Sequence, residues 1–230
     1  MNPKLRLSAE DAYHHLRNAI TTGKILPGER VITQQIATEL RISRTPIKEA
    51  LARAEADGMV VRAGNWGYTV REITLRDAEN IFEARMVVEL ACAQIAADNS
   101  SASDHEEMTR LWSKAHTAFT KGRLSDFLLA SRQLHGFIAK CTGNDILLNL
   151  FNQVNNLVLL FALSLLRAKP KRAAEIDAEN KALIEAIKQK DKDLAGRLIR
   201  SQVVRAYEMY HQTLTNNRSN RIIKLKELVS

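Results

Sequence analysis

The chain has 230 residues, of which 45% are hydrophobic and 26% are charged. This composition is that of an ordinary globular protein and excludes a disordered or fibrous chain. Only nine glycines and four prolines occur, which favours long helices over many short strands. The formal net charge of +8 suits a polyanionic partner such as nucleic acid.

The positive charge is concentrated at the two ends of the chain. Residues 1–71 carry eleven cationic and seven anionic side chains, and the basic C-terminal tail, residues 217–230, carries four cations and one anion. The N-terminus lacks the apolar core of a signal peptide. The longest apolar run, residues 157–166, is ten residues long, which is too short to cross a bilayer. We therefore expect a cytoplasmic protein with no membrane partner.

The first 71 residues contain helix caps, turn signals and one hairpin signal. They predict four elements: a helix over residues 8–22 capped by Ser8, a short helix capped by Thr33 and ending at Leu40, a helix capped by Ser43 and ending near Asp57, and a β-hairpin over residues 59–70.

The pattern is helical throughout from Thr74 onward. The predicted helices are 74–98, 104–121, 124–141, 145–168, 172–190 and 192–214. The change of pattern near residues 71–74 predicts a domain boundary. The predicted fold class is thus mostly α: an N-terminal winged helix-turn-helix domain, residues 1–73, followed by an all-helical bundle, residues 74–216.

The stretch "SRTPIKEAL", residues 43–51, places a proline inside a predicted helix. With Ser43 as the N-cap, Pro46 is the third helical residue, where its missing N–H costs little. Arg44 and Lys48 are four residues apart and share one exposed edge. Like charges at this spacing repel each other unless an anion lies opposite. Because a second helix precedes this one and a hairpin follows it, the pattern indicates a winged helix-turn-helix that inserts this helix into the major groove.

Residues 9–71 resemble the DNA-binding domain of the GntR family of bacterial transcription regulators. The turn "ITTGKILPGER", the helix "SRTPIKEAL" and the glycine-bearing wing carry the resemblance. The resemblance implies that Arg44 reads a base edge or its phosphate. It also implies backbone or groove contacts for Gln34, Ser43, Thr45, Lys48, Asn65 and Gly67. The family commonly has arginine where this chain has Lys48, and lysine lacks the fork that recognises guanine.

Six polar residues lie on the otherwise apolar faces of the later helices. They are Arg85, Glu89, Ser131, His135, Asn180 and Gln202. A single buried polar residue is usually a satisfied core group, but six on four helices favour a shared polar cavity, since each would be costly to bury unpaired. Arg85 and Glu89 either pair with each other, or Arg85 offers its fork to a carboxylate ligand.

Residues 74–214 resemble the FadR-type C-terminal domain of the same family, the FCD domain. The segments "IFEARMVVELACAQIAA" and "LHGFIAKCTGNDILLNL" carry this resemblance. Many members hold a divalent metal there, and the corresponding positions in this chain are Ser131, His135, Asn180 and Gln202. Only His135 keeps its identity, so we expect no metal, or at most a weak site at His135, and no certain cofactor. The six polar residues would then form an effector-binding pocket.

Together the two resemblances imply a homodimeric repressor, not an enzyme. It would bind a palindromic double-stranded operator and respond to a small carboxylate effector. Two alternatives stay open at this stage: a metal-responsive regulator that uses His135, and an enzyme with an attached DNA-binding domain.

Overall fold

A computed structural model of the chain describes residues 8–64 and 67–214. Contacts divide the chain between Ile73 and Thr74 into two compact units, which we call the winged unit and the helical unit. The elements of the winged unit are α1 (Ala9–Thr21), β1 (Arg30–Val31), α2 (Thr33–Leu40), α3 (Arg44–Ala56), β2 (Val60–Arg62) and β3 (Tyr68–Val70). Those of the helical unit are α4 (Leu75–Asn99), α5 (Ala102–Thr120), α6 (Leu124–Lys140), α7 (Asp145–Ala168), α8 (Lys171–Lys188) and α9 (Lys192–Leu214).

The helix starts of the winged unit follow the sequence signals in part. Ser8 caps α1 through a capping box with Asp11, as predicted. Ser43 occupies the N-cap position of α3 in an extended conformation, but its side chain makes no capping hydrogen bond. Ile32, not Thr33, is the N-cap of α2, so the predicted Thr33 cap is wrong by one residue. The backbone carbonyl of Ile32 accepts hydrogen bonds from the amides of the first turn. The helix therefore begins without a capping side chain.

The sheet of the winged unit has three antiparallel strands in the order β1-β3-β2. The predicted hairpin is formed by β2 and β3, with Val60 opposite Val70. The sequence analysis missed β1, which pairs Arg30 with Thr69. A strand of two residues carries no detectable alternation. It forms because the turn before it aligns its backbone with β3.

Buried apolar side chains from α1, α3 and the start of the hairpin make the core of the winged unit. Leu16, Ile47, Leu51 and Met59 are each at most 1% exposed, and α1 packs directly against α3. The opposite side of α3 is therefore available to solvent. This packing fixes which face of α3 the winged unit presents.

Helix α4 is central in the helical unit, because it contacts α6, α7, α8 and α9. Its Phe82 is fully buried, and its ring packs against those of Phe161, Tyr207 and Tyr210 at centroid distances of 5.6, 5.5 and 6.1 Å. Leu75 also lies on the apolar stripe of this helix by sequence spacing, but it is 43% exposed. It is the first helical residue, directly after the Thr74 cap, where the helix has not yet entered the bundle.

Helix α7 is long and apolar enough to cross a membrane by length and composition, and no other helix in the described residues is. In the structure it is a core helix, since Leu159, Leu163 and Leu166 belong to one buried cluster with residues of α5 and α6. It also buries two amide side chains, Asn155 and Asn156. The helix extends well beyond the ten-residue apolar run seen in the sequence.

Replacing Ile47 with alanine should destabilise the winged unit. Ile47 is 1% exposed, and truncating such a side chain typically costs about 2–5 kcal/mol. Because Ile47 lies in the core of the winged unit, amide hydrogen exchange should accelerate in peptides from residues 9–64 and not in those from residues 75–212. Val61→Ala is the control, since Val61 is 44% exposed. Equal acceleration in both units would contradict the division of the chain into two units.

Candidate functional site

The exposed surface at the start of α3 carries the residues that the sequence analysis assigned to DNA. Ser43, Arg44, Thr45 and Lys48 are all exposed, whereas Ile47, Ala50, Leu51 and Ala54 of the same helix are buried. The first turn of a helix also presents unpaired N–H groups and the positive end of the helix dipole. The arrangement provides a cationic surface that can receive phosphates.

Gln34 of α2 lies beside Arg44 of α3. Both Nε and Nη2 of Arg44 donate to Oε1 of Gln34, at 2.9 and 2.5 Å. In this geometry Oε1 of Gln34 orients the guanidinium. The amide nitrogen of Gln34 is a donor, so the predicted phosphate contact of Gln34 stays a prediction. Nη1 of Arg44 takes no part in this bond with Gln34, and the Arg44 side chain is exposed.

The wing is described only in part. Gly67 is exposed and has a φ of +91°, which an L-amino acid rarely adopts. Its carbonyl oxygen accepts from Ala63 N at 2.9 Å and closes the tip of the hairpin. Asn65, the other predicted wing residue, lies outside the described residues.

The helical unit brings the six predicted polar residues into one hydrogen-bond network. Arg85 Nε donates to Glu89 at 2.8 Å. The two ring nitrogens of His135 lie 3.1 Å from Glu89 Oε2 and 3.0 Å from Asn180 Oδ1. Asn180 donates to Ser131 at 2.7 Å and accepts from Gln202 at 3.2 Å. Four helices are thereby joined through side chains that are each at most 8% exposed.

Glu89 is the centre of this network. Burial alone raises the pKa of its carboxyl group, but the neighbouring guanidinium groups of Arg132 and Arg85 and the hydrogen bond from His135 outweigh burial. The pKa of Glu89 therefore lies well below its ordinary value, and the group is a carboxylate at neutral pH. Arg85 thus pairs with Glu89 through its Nε, and its predicted contact with a carboxylate ligand stays a prediction.

The sequence analysis missed Arg132, which is 6% exposed. Its Nη2 donates to Glu89 at 2.7 Å, its Nε donates to Asn155 at 2.6 Å, and its guanidinium lies over the ring of Phe151 at 5.2 Å. Its spacing was an available signal, because Arg132 follows Leu128 by four residues and precedes His135 by three.

A cavity of about 60 Å³ adjoins the network. One part of its wall is polar and includes Arg85, Ser131, Arg132, His135 and Gln202. The rest is mainly apolar, formed by Phe82, Phe127, Leu128, Val158, Phe161, Ala162, Leu165, Leu166, Ile176, Ala206 and Met209, with Arg172 also lining it. Nη1 of Arg132 is buried and has no hydrogen-bond partner within residues 8–64 and 67–214.

The residues at the family's metal positions do not fit a divalent metal. Both nitrogens of His135 are engaged, and Ser131 and Gln202 are bonded to Asn180. Hydroxyl and amide groups are poor ligands for zinc. In the described part of the chain no group of three or more His, Cys, Asp or Glu side chains could hold a metal ion.

Replacing Glu89 with glutamine should destabilise the helical unit strongly at neutral pH. The change leaves two buried guanidinium groups without their carboxylate, which typically costs about 3–5 kcal/mol of unfolding free energy. Because the folded-state pKa of Glu89 is depressed, the carboxylate contributes stability above its unfolded-state pKa near 4.5 and loses it as pH falls toward the folded-state value.

Urea denaturation from pH 7 to pH 3 measures this effect. The gap between wild type and Glu89→Gln should be widest near pH 7 and should narrow below about pH 4.5. Glu106→Gln is the matched control, since Glu106 is exposed on α5 and should shift stability by no more than about 0.5 kcal/mol. A gap that stays constant down to pH 3 would show that folding does not lower the pKa of Glu89.

Comparison with known proteins gives matches over both units. The model of the bacterial regulatory proteins of the gntR family matches residues 8–70, and the FCD domain model matches residues 80–205, which is more than half of the chain. The chain is 28% identical over 187 residues to the HTH-type transcriptional regulator YdhC of Bacillus subtilis, covering 80% of this chain and 82% of YdhC. It is 24% identical over 183 residues to the gluconate operon transcriptional repressor of Bacillus licheniformis, covering 78% and 75% of the two chains.

Solved structures give the same result. The structure of McbR/YncC from E. coli has a TM-score of 0.78 at 25% identity and covers 88% of this chain and 98% of its own. A GntR regulator from Rhodococcus has a TM-score of 0.75 at 22% identity, which supports the fold alone. The expected fold class and the family resemblance are confirmed, and the relatives are regulators and not enzymes. The chain therefore belongs to the GntR family of bacterial transcription regulators, with a winged helix-turn-helix that binds DNA and a C-terminal domain of the FCD type.

Proposed function

We propose that the protein is a cytoplasmic homodimeric repressor whose affinity for a palindromic operator is controlled by a small organic acid bound in the helical unit. The observation that carries the effector part is a cavity whose wall combines apolar side chains with three arginines, Arg85, Arg132 and Arg172. Guanidinium groups bind carboxylates through charge-assisted hydrogen bonds.

The charges around Glu89 support an anionic effector. Two guanidinium groups, of Arg85 and Arg132, share one carboxylate in the buried network. The single negative charge of Glu89 therefore neutralises only half of the positive charge of the two arginines. An acid bound in the cavity would complete the neutralisation, whereas a neutral or cationic ligand would not.

Repression and dimerisation rest on other support. A relative named as the gluconate operon repressor indicates repression as a mode within this family. One recognition helix contacts only a few base pairs, and helix-turn-helix proteins gain an adequate site by binding two half-sites as dimers. On this proposal the effector changes operator affinity by a coupling factor, typically about 5- to 150-fold.

On the DNA side, we propose that Arg44 contacts a base and that Gln34 holds its guanidinium in position. Arg44→Ala should weaken operator binding roughly five- to hundredfold, as expected for the loss of one specific base contact. Electrophoretic mobility shift at fixed salt, on an operator recovered by selection from genomic fragments, measures this. Arg197→Ala is the matched control, because it removes an equal charge from an exposed position of the helical unit.

A variant of Lys48 distinguishes a phosphate contact from a base contact. Lys48→Ala should weaken binding to all sequences alike and reduce the slope of log K against log salt concentration by about one. Gln34→Ala should weaken specific binding less than Arg44→Ala, since it frees the guanidinium without removing it. Unchanged binding by Arg44→Ala would show that α3 does not recognise the operator.

The effector proposal predicts that one class of metabolite alters operator binding. Purified protein on labelled operator should respond to organic acids in a fluorescence anisotropy titration, with a shift of at least about fivefold in apparent Kd. Amides and alcohols of the same carbon skeleton serve as uncharged controls. If acids and their uncharged analogues act equally, or if none acts, the helical unit does not transmit an acid signal to the operator.

A further inference from the structure

We propose that Arg41, in the turn between α2 and α3, binds a DNA phosphate beside the base that Arg44 contacts. The winged unit would then hold DNA through a cation that neither the residue pattern nor the family resemblance assigned. The inference goes beyond the DNA contacts proposed above, and it rests on the assignment of α3 to DNA.

The backbone of Arg41 is left-handed. Arg41 is the C-cap of α2 and has a φ of 54° and a ψ of 41°, a conformation that brings the Cβ of an L-amino acid too close to the following carbonyl oxygen. Its N–H donates to the carbonyl of Thr38, and the N–H of Ile42 donates to that of Ala37, at 3.3 and 3.1 Å. Glycine usually occupies the left-handed position of this hydrogen-bond pattern. An arginine therefore makes this turn at a cost in conformational energy.

The chain uses glycine for the same turn at the ends of α1, α3 and α5. Gly23, Gly58 and Gly122 have φ values of 74°, 71° and 68° and the same pair of backbone hydrogen bonds. Among the described residues that are not glycine, only Arg41 and Lys190 have a positive φ. Strained residues of this kind concentrate at functional sites, and the side chain of Arg41 is therefore a candidate for a function.

The side chain of Arg41 is exposed. Within residues 8–64 and 67–214 it has no ion pair or side-chain hydrogen bond. The nearest carboxylate along the chain, that of Glu39, is bonded to His15 and Gln35, each at 3.1 Å. No ion pair in the described part of the chain thus neutralises the charge of Arg41, and the guanidinium can bind an external anion.

Arg41 extends the cationic surface at the start of α3. It precedes Arg44 by three residues and Lys48 by seven, and residues 40–48 contain no Asp or Glu. Three residues of chain span at most about 11 Å, so the Cα atoms of Arg41 and Arg44 lie within that distance. Each DNA strand carries a phosphate about every 3.4 Å along the helix axis, so phosphates flank any base that Arg44 contacts. Because the turn precedes the helix that enters the groove, Arg41 meets the DNA backbone and not a base edge.

Lys190 provides a matched control for the backbone and the charge of Arg41. It is exposed and has a φ of 57°. The turn after α8 has the same hydrogen-bond pattern, since Lys190 N–H donates to Ile187 and Asp191 N–H donates to Ala186. Lys190 lies in the helical unit. The left-handed conformation is thus common to both residues, and only Arg41 combines it with a position next to the recognition helix.

The test is a fluorescence anisotropy titration of the full chain on two labelled duplexes, over a series of salt concentrations. One duplex is the operator recovered by selection, and the other has an unrelated sequence of equal length. We expect Arg41→Gly to bind both duplexes about five- to tenfold more weakly at ~0.1 M salt, with the slope of log K against log salt concentration reduced by about one, as for one lost phosphate contact. Because glycine is unstrained in this turn, the thermal midpoint of the variant should be no lower than that of the wild type.

Two further variants define the contact. Arg41→Lys should bind both duplexes within about twofold of the wild type, since an ammonium group also binds phosphate as a point charge. Lys190→Gly removes a cation from the same kind of turn in the helical unit. It should bind both duplexes as the wild type does, with an unchanged salt slope.

Wild-type affinity and slope in Arg41→Gly would overturn the inference. So would an Arg41→Lys variant as weak as Arg41→Gly, because a phosphate contact needs only the charge. An equal loss in Lys190→Gly would show that net charge, and not the position of Arg41, causes the effect. Arg44→Ala is measured in parallel: if it weakens operator binding and Arg41→Gly does not, only the phosphate contact fails, and if neither does, the assignment of α3 fails as well.

Discussion

The helical unit is organised around one buried carboxylate. Glu89 is 2% exposed, yet it remains ionised because Arg85, Arg132 and His135 approach it from α4 and α6. Through His135 and Asn180 the same network reaches α8 and α9. The relative positions of four helices thus depend on keeping one negative charge solvated by protein groups.

Such a network is not the most stable solution for a helical core. Burying ions costs desolvation energy that their mutual attraction often only just offsets, and apolar residues of the same volume are commonly as stable or more so. What the charges provide is a polar wall on an otherwise apolar cavity. Among the described residues, Nη1 of Arg132 and Nε of Arg172 are buried without a hydrogen-bond partner, and a ligand that bound only the folded protein would stabilise this unit.

In the winged unit, by contrast, the charged side chains at the start of α3 are exposed and not buried. Ile47, Ala50, Leu51 and Ala54 fix α3 to its own core, so the cations at its first turns face solvent. Pro46 fits because it lies where the helix needs no N–H donor. The bond between Gln34 and Arg44 reduces the freedom of an exposed arginine before it meets DNA, and ordering a side chain in advance lowers the entropy lost on binding.

The sequence by itself determined the helices, the hairpin and the six polar residues on apolar faces, because periodicity and capping are local properties that depend on neighbours along the chain. It also carried the family resemblance, since short motifs such as "SRTPIKEAL" are contiguous. Only the tertiary structure decided which polar groups meet. β1 exists because β3 lies beside it, and Arg132 is buried because Glu89 and Asn155 come to it from other helices. Whether a charge is solvated by water or by protein depends on residues far away in sequence. This is why the pairing of Arg85, the bond between Gln34 and Arg44 and the burial of Arg132 required the structure.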